Sequence, residues 1–288
     1  MTTGDAPDLA DRKGILLPDE QARHRTLDRL PVGPALSGFA DRYWVVRWDL
    51  RGKPAYRAEV LSFPCVNVTF ERSGTRTGGF VTGVCTTKYV RELDGVGETF
   101  GIRFRPGGFG AFTGMDVGAL RDDSAPLAEV LPAAAHLGDL VLAESSDAAR
   151  VRLVEEFFAG RGRGGDPHYA LVARIVAAMA DDAGLTRVDQ VTERFAVPIR
   201  TLQRLFRRYV GAGPKWVLCR FRLQDAADLL ARGAAPDLAD LAAELGYFDQ
   251  AHFCREFTAG IGMSPSEYAR RARSGASGAV SGGAQTRK

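Results

Sequence analysis

Cysteine and histidine are scarce. Cys65, Cys85, Cys219 and Cys254 are scattered without a Cys-x-x-Cys pair, and His24, His136, His168 and His252 lie far apart. A disulfide scaffold or a zinc ribbon needs close, paired spacing, so neither is expected, and no metal or cofactor is assigned. No stretch reaches the roughly 18 apolar residues of a membrane span, and the first thirty residues hold no apolar run of signal-peptide length. The expectation is a cytoplasmic protein without a membrane partner. A paired nucleophile and base, and a glycine-rich phosphate loop after a strand, are also missing, so no catalytic residue is assigned and an enzyme is not expected. The last absence is local: between Glu193 and Asp225 there is no acidic residue at all.

What is there is ordinary on average. The chain has 288 residues, 45% hydrophobic and 25% charged, which excludes wholesale disorder and suits two domains. Its formal charge of +3 conceals an asymmetry: residues 1–166 hold 21 basic and 23 acidic side chains, residues 167–288 hold 17 and 12. The second half therefore carries the whole excess. In the acid-free window lie Arg194, Arg200, Arg204, Arg207, Arg208, Lys215, Arg220 and Arg222. A solvated helix face normally mixes signs, whereas a nucleic-acid footprint does not.

Periodicity predicts an α+β chain. Residues 1–33 are polar and dotted with Pro and Gly, and read as a mobile arm. Residues 34–160 open with short β-branched and aromatic runs, Tyr43–Leu50, Tyr56–Leu61, Val66–Glu71, Phe80–Val84 and Glu98–Arg105. With turns between them, these predict a small antiparallel sheet or sandwich, followed by helices over 125–131, 139–143 and 146–158. Residues 161–165 (RGRGG) read as a linker and 274–288 as a disordered tail. Between them, 166–273 is helix after helix: 166–180, 188–195, 199–209, 214–231, 238–245, 250–258 and 265–273.

That helical half repeats itself. Val188, Val191 and Phe195 match Leu238, Leu241 and Leu245 at an offset of 50; Leu202, Arg204, Phe206, Gly211 and Pro214 match Phe253, Arg255, Phe257, Gly262 and Pro265 at 51. Each copy is a short amphipathic helix, a turn and a second helix with apolar anchors, the helix-turn-helix pattern. If the anchors face inward, Arg200, Gln203, Arg204, Gln250, Ala251 and Arg255 remain outside as candidate base readers, since Arg and Gln can grip purine edges through two hydrogen bonds. Thr201, Arg207, Arg208 and His252 are candidate phosphate contacts. The segment Lys215–Arg232 makes a helix of roughly 27 Å at 1.5 Å per residue. Such a strut could hold two recognition helices near the ~34 Å repeat of B-DNA, in successive major grooves.

At these residues the chain resembles a known family. Arg200-x-Leu202-x-Arg204-x-Phe206, Gly211-x-x-Pro214, and Leu245-Gly246-Tyr247-x-Asp249-Gln250-Ala251-His252-Phe253-x-Arg255-x-Phe257, then Gly262-x-Ser264-Pro265-x-Glu267-Tyr268, resemble the DNA-binding domain of AraC/XylS-type transcriptional regulators. The resemblance covers about 100 residues and implies double-stranded promoter DNA as a partner, read by residues about 199–209 and 249–258. RNA polymerase is a further partner on that basis. Two positions depart from the family pattern: Pro198 stands where serine usually starts the recognition helix, and Ala196 where glycine is usual.

The N-terminal half is a looser match. Phe63–Phe70 and Phe100–Phe109 resemble the divergent, cupin-like N-terminal domains of such regulators, which implies a signal-sensing or self-associating unit and hence a small-molecule effector or a homodimer. No histidine lies in a predicted strand, which argues against a cupin metal site. Trp44, Trp48, Phe63, Phe80 and Phe104 read as sandwich core, and Trp216 as core of the connecting helix. Alternation predicts Arg103 and Arg105 on one strand face, where with Trp48 they could hold an anionic ligand. Two rival readings stand: a DNA-alkylation repair or response protein using Cys65 or Cys85 as methyl acceptor, and an interaction protein whose helical half binds protein.

Overall fold

The computed structural model describes residues 12–162, 165–234 and 237–280. A short helix α1 (Pro18–Gln21) leads into eight strands: β1 (Thr26–Leu30), β2 (Ala40–Asp49), β3 (Tyr56–Val60), β4 (Asn67–Arg72), β5 (Thr77–Thr82), β6 (Tyr89–Leu93), β7 (Val96–Phe104) and β8 (Ser124–Pro126). Between β7 and β8 come α2 (Gly108–Thr113) and a 3-10 turn at Val117–Leu120; α3 (Leu127–Val130), α4 (Leu137–Ala143) and α5 (Asp147–Phe158) close the first half. Six strands form one antiparallel sheet in the order β1-β2-β7-β4-β5-β8, and β3 pairs with β6 in a separate two-stranded sheet. The predicted α+β architecture is the observed one.

Strand alternation gives the large sheet two different faces. Tyr43, Val45, Val68, Phe70, Phe100, Ile102 and Phe104 are buried in one core with Phe109, Phe112, Val141, Val154 and Phe158 of the helices. Trp44, Val46 and Trp48 of β2, Asn67, Thr69 and Glu71 of β4, and Thr99 and Arg103 of β7 face the other way and line a cavity of about 210 Å³. Trp48 and Trp44 lie opposite Gly97 and Gly101 in the β2/β7 register. A Cβ at Gly97 would meet the Trp48 ring at 2.1 Å, and one at Gly101 the Trp44 ring at 2.2 Å, so two missing side chains make room for two indoles. The aromatic residues expected as one core are thus divided between the two faces, with Phe104 on one and both tryptophans on the other.

Several expectations need correction. Residues 26–30, assigned to a mobile arm, form β1 and pair with β2 from Thr26↔Arg47 to Leu30↔Tyr43; residues 1–11 lie outside the described ones. In the linker, residues 163 and 164 also lie outside them. At the tail, α12 (Pro265–Val280) continues seven residues past the expected end at 273, while 281–288 lie outside the described residues.

The helical half contains α6 (Pro167–Asp181), α7 (Val188–Phe195), α8 (Ile199–Leu205) continuing through a π turn at Phe206–Val210, α9 (Pro214–Ala231), α10 (Leu238–Glu244), α11 (Gln250–Ile261) and α12. It does not hang free from a linker. Leu16, Leu17 and Leu61 are buried in one cluster with Leu230, Leu241, Phe253, Phe257 and Tyr268, and Ala111 joins the cluster around Val172, Leu202 and Phe206. Each helix-turn-helix copy shares a core with the β half.

Candidate nucleic-acid interface

In the first copy, α7 buries Val191 and ends at Ala196, which adopts a left-handed conformation (φ 49°, ψ 43°). Glycine is usual at that position because a Cβ is strained there. Pro198 starts α8 without a side-chain cap, its fixed φ of −58° being compatible with a helix entry. Leu202, Leu205, Phe206, Tyr209 and Val210 are buried. Arg200, Gln203, Arg204, Arg207 and Arg208 are exposed and Thr201 is half-buried. Arg208 rests over the Tyr209 ring at 5.6 Å. Among the described residues no ion pair engages Arg200, Arg204, Arg207 or Arg208, so this exposed row is cationic without an acid beside it there.

In the second copy, Asp237 caps α10 by accepting a hydrogen bond from the Ala239 N–H (2.7 Å). Asp249 caps α11 by accepting from the His252 N–H (2.6 Å). An Asp N-cap of this kind contributes about 1 kcal/mol to a helix. Phe253, Phe257 and Ile261 are buried, while Gln250, Ala251 and Arg255 are exposed. His252 is half-buried: its ring packs edge-on against Tyr247 (5.4 Å) and its Nε2 lies 3.5 Å from Glu256. A carboxylate so close makes it a poorer phosphate contact than its position suggested.

The acid-free window divides in three dimensions. Arg220 is buried on α9, and its guanidinium donates to the carbonyls of Cys85 (3.1 Å), Thr86 (2.7 Å) and Thr87 (3.2 Å) in the β5–β6 loop. Burial lowers its pKa to about 10. Trp216 stacks under Arg220 (4.6 Å) and donates its indole N–H to Thr86, so it belongs to the joint between the halves. Arg222 lies over the Tyr247 ring (4.6 Å), and Arg194 pairs with Asp182 (2.5 Å). Each of these three arginines already has a partner within the protein. Sequence periodicity along α9 could have separated Arg220, since it shares a helix face with Val217 and Gln224.

The ligand candidates separate as well. Trp48 is buried, lines the cavity, and donates its indole N–H to the Asp94 carbonyl (2.9 Å). Arg103 lines the cavity too, bonded to Asp41 (2.8 Å from Nε) and lying over Phe63 at 4.4 Å. Arg105 does not, because β7 ends at Phe104 and the exposed Arg105 turns back to the Ala40 carbonyl (3.1 Å). Alternation cannot carry a residue beyond the last ladder bond. Sequence reading missed Arg25, a lining guanidinium bonded to the Gln21 side-chain oxygen (2.6 Å), whose pKa burial lowers to about 10.

Known proteins match this chain in two separate stretches. Residues 191–271 match the model of a helix-turn-helix domain, and residues 28–126 match a domain of unknown function (DUF6597). An uncharacterized HTH-type transcriptional regulator of Haemophilus influenzae is 32% identical over 94 residues, 33% of this chain and 31% of that protein. The HTH-type transcriptional activator RhaS of Escherichia coli is 34% identical over 87 residues, 30% of this chain and 31% of its own length. The chain therefore spans about a third of the length of the curated relatives it matches. Among solved structures, a probable AraC family transcriptional regulator from Rhodopseudomonas palustris is 27% identical and covers 36% of this chain and 97% of its own, with a TM-score of 0.32. ToxT from Vibrio cholerae is 9% identical over 86% of this chain and 97% of its own, with a TM-score of 0.38. The helical half therefore carries a helix-turn-helix domain over residues 191–271.

Proposed function

We propose that the whole chain is a DNA-binding transcriptional regulator of the AraC type, acting in the cytoplasm, with RNA polymerase as a partner and self-association through the β half. The observation that carries this reading is the exposed, cationic row Arg200, Arg204, Arg207 and Arg208 on the second helix of a helix-turn-helix. Arg200, Gln203 and Arg204, with Gln250, Ala251 and Arg255, are the proposed base readers; Thr201, Arg207 and Arg208 meet phosphates. Arg204→Ala should cost about 1 to 3 kcal/mol at a preferred duplex and relax preference at one position. Arg208→Ala should weaken all duplexes alike and flatten the slope of log K against log salt by about one. Equal binding by the parent chain and Arg204→Ala would displace the first recognition helix from the major groove.

The β half supplies an effector site at the cavity. Its lining carries Lys13, Arg25, Arg29, Arg42, Arg91 and Arg103 with one lining acid, Glu71; Lys13 pairs with Asp225, Arg42 and Arg103 with Asp41, and Arg91 with Glu71 at 3.2 Å, while Arg25 meets the neutral side-chain oxygen of Gln21 at 2.6 Å. Trp44, Val46 and Trp48 supply the apolar wall. A small aromatic carboxylate suits this combination, the volume lying below the roughly 300 Å³ of drug-sized sites. Phenylacetate should quench the tryptophan fluorescence and 2-phenylethanol, its neutral counterpart, should not; equal responses would remove the anionic reading. The repair alternative fares poorly at both cysteines: Cys65 is 3% exposed and burial pushes its thiol up to about 12, and burial also raises the thiol of the half-buried Cys85, the opposite of an activated nucleophile.

A further inference from the structure

The two helix-turn-helix copies differ in charge. Val188–Val210 holds five arginines against two acids, whereas Leu238–Ile261 holds one arginine, Arg255, against Asp240, Glu244, Asp249 and Glu256. A unit with a net charge of −3 gains nothing from the attraction to phosphate that drives most DNA affinity. What it presents instead is Phe248, 92% exposed, the most exposed large hydrophobic side chain among the described residues. The ring is not a misplaced core residue. Its neighbour Tyr247 occupies the core position, 6% exposed and packed 5.2 Å from Phe253, and Asp249 begins α11 directly afterwards. Phe248 therefore stands at the N-terminal end of the second recognition helix, beside the exposed Gln250 and Ala251, and that end of such a helix approaches the base edges.

We propose that Phe248 is a DNA-contacting residue, and that the second unit grips the duplex through apolar surface, a thymine C5-methyl group or a deoxyribose face, where the first unit uses arginine. The proposal rests on the DNA-binding reading above. Affinity is then divided: the first unit carries the salt-dependent part, and the second a salt-independent part with a preference for thymine when the methyl is the contact.

The test uses the full chain and a duplex that it enriches from a random-sequence library. Parent, Phe248→Ala and Arg208→Ala are titrated at several salt concentrations, with thermal melts as a control, since an exposed ring contributes little to folding. Phe248→Ala should bind about tenfold more weakly with an unchanged salt slope, whereas Arg208→Ala flattens the slope. Deoxyuridine in place of each thymine of the second half-site distinguishes the contacts. A loss at one thymine that disappears in Phe248→Ala assigns the methyl group; no loss at any, with Phe248→Ala still weak, assigns the sugar. Binding by Phe248→Ala within twofold of the parent overturns the proposal and directs the ring to a protein partner. A parent chain that enriches no duplex overturns the DNA-binding reading, and the proposal with it.

Discussion

Two residues whose chemistry looks interchangeable with their neighbours' are set apart by local environment. Ala196 holds a left-handed backbone at an exposed position, so its Cβ costs strain and contributes no packing. Ala196→Gly should relieve more strain than it loses in unfolded-state entropy and stabilise the chain by about 0.5 kcal/mol, read as a small rise in the melting midpoint; a fall would mean that the methyl group packs. Cys65, pushed up to about 12 by burial, is expected to resist iodoacetamide at pH 8 in the native chain and react once unfolded. Native modification at the rate of a model thiol would show that the site opens. Individual arginines were the least legible feature of the sequence. Arg208 and Arg220 sit in the same acid-free run, yet one is exposed and the other is 3% exposed beneath a loop from the other half. Charge patterning reports composition; which side of a helix a neighbour covers is a tertiary fact.

Elements were legible where their pattern was long or their ends were marked. Val188–Phe195 and Pro214–Ala231 stand in the structure within the bounds the sequence predicts, the first on its helical apolar spacing alone and the second with a starting proline and Gly233 just past its end as well. The strands that escaped, Thr26–Leu30, Tyr89–Leu93 and Ser124–Pro126, are three to five residues long and half-buried or exposed over most of their length, so no apolar alternation announces them. Helix α2 escaped for the opposite reason. Its sequence GFGAFT has poor helix propensity, and burial of Gly108 through Phe112 against the shared cores stabilises it instead. The β2/β7 pair offers a test at this scale. Gly101→Val would drive a side chain into the Trp44 ring and fill space beside the cavity. It should cost about 1 to 3 kcal/mol and abolish the phenylacetate response while duplex binding persists below the melting transition. An unchanged response would place the ligand elsewhere.

The whole molecule is joined more closely than a chain of two independent units would be. Beside the three bonds of Arg220, the Gln224 side chain donates to the Leu61 carbonyl (2.7 Å), Lys88 to that of Ile261 (2.9 Å), and the Leu17 N–H to the Tyr268 hydroxyl (3.2 Å). Lys13 pairs with Asp225 at 2.5 Å, and Lys13, Gly83 and Cys85 also line the cavity. A ligand that displaces those walls would act on the strands and loops that hold both helix-turn-helix copies. Arg220→Met should leave three loop carbonyls without their donor and cost about 2 to 4 kcal/mol, with faster proteolysis near residues 85–87. Unchanged melting would mean that the joint is held by the apolar clusters alone. The sequence by itself determined the α+β division and the repeated helix-turn-helix, because each depends on local periodicity and on residues a few positions apart. Only the tertiary structure decided which arginines face solvent, which aromatics face the cavity, that the expected arm contains a strand, and that both helix-turn-helix units share cores with the β half. Those outcomes depend on residues far apart in the chain meeting across an interface, and no local pattern encodes which surfaces will meet.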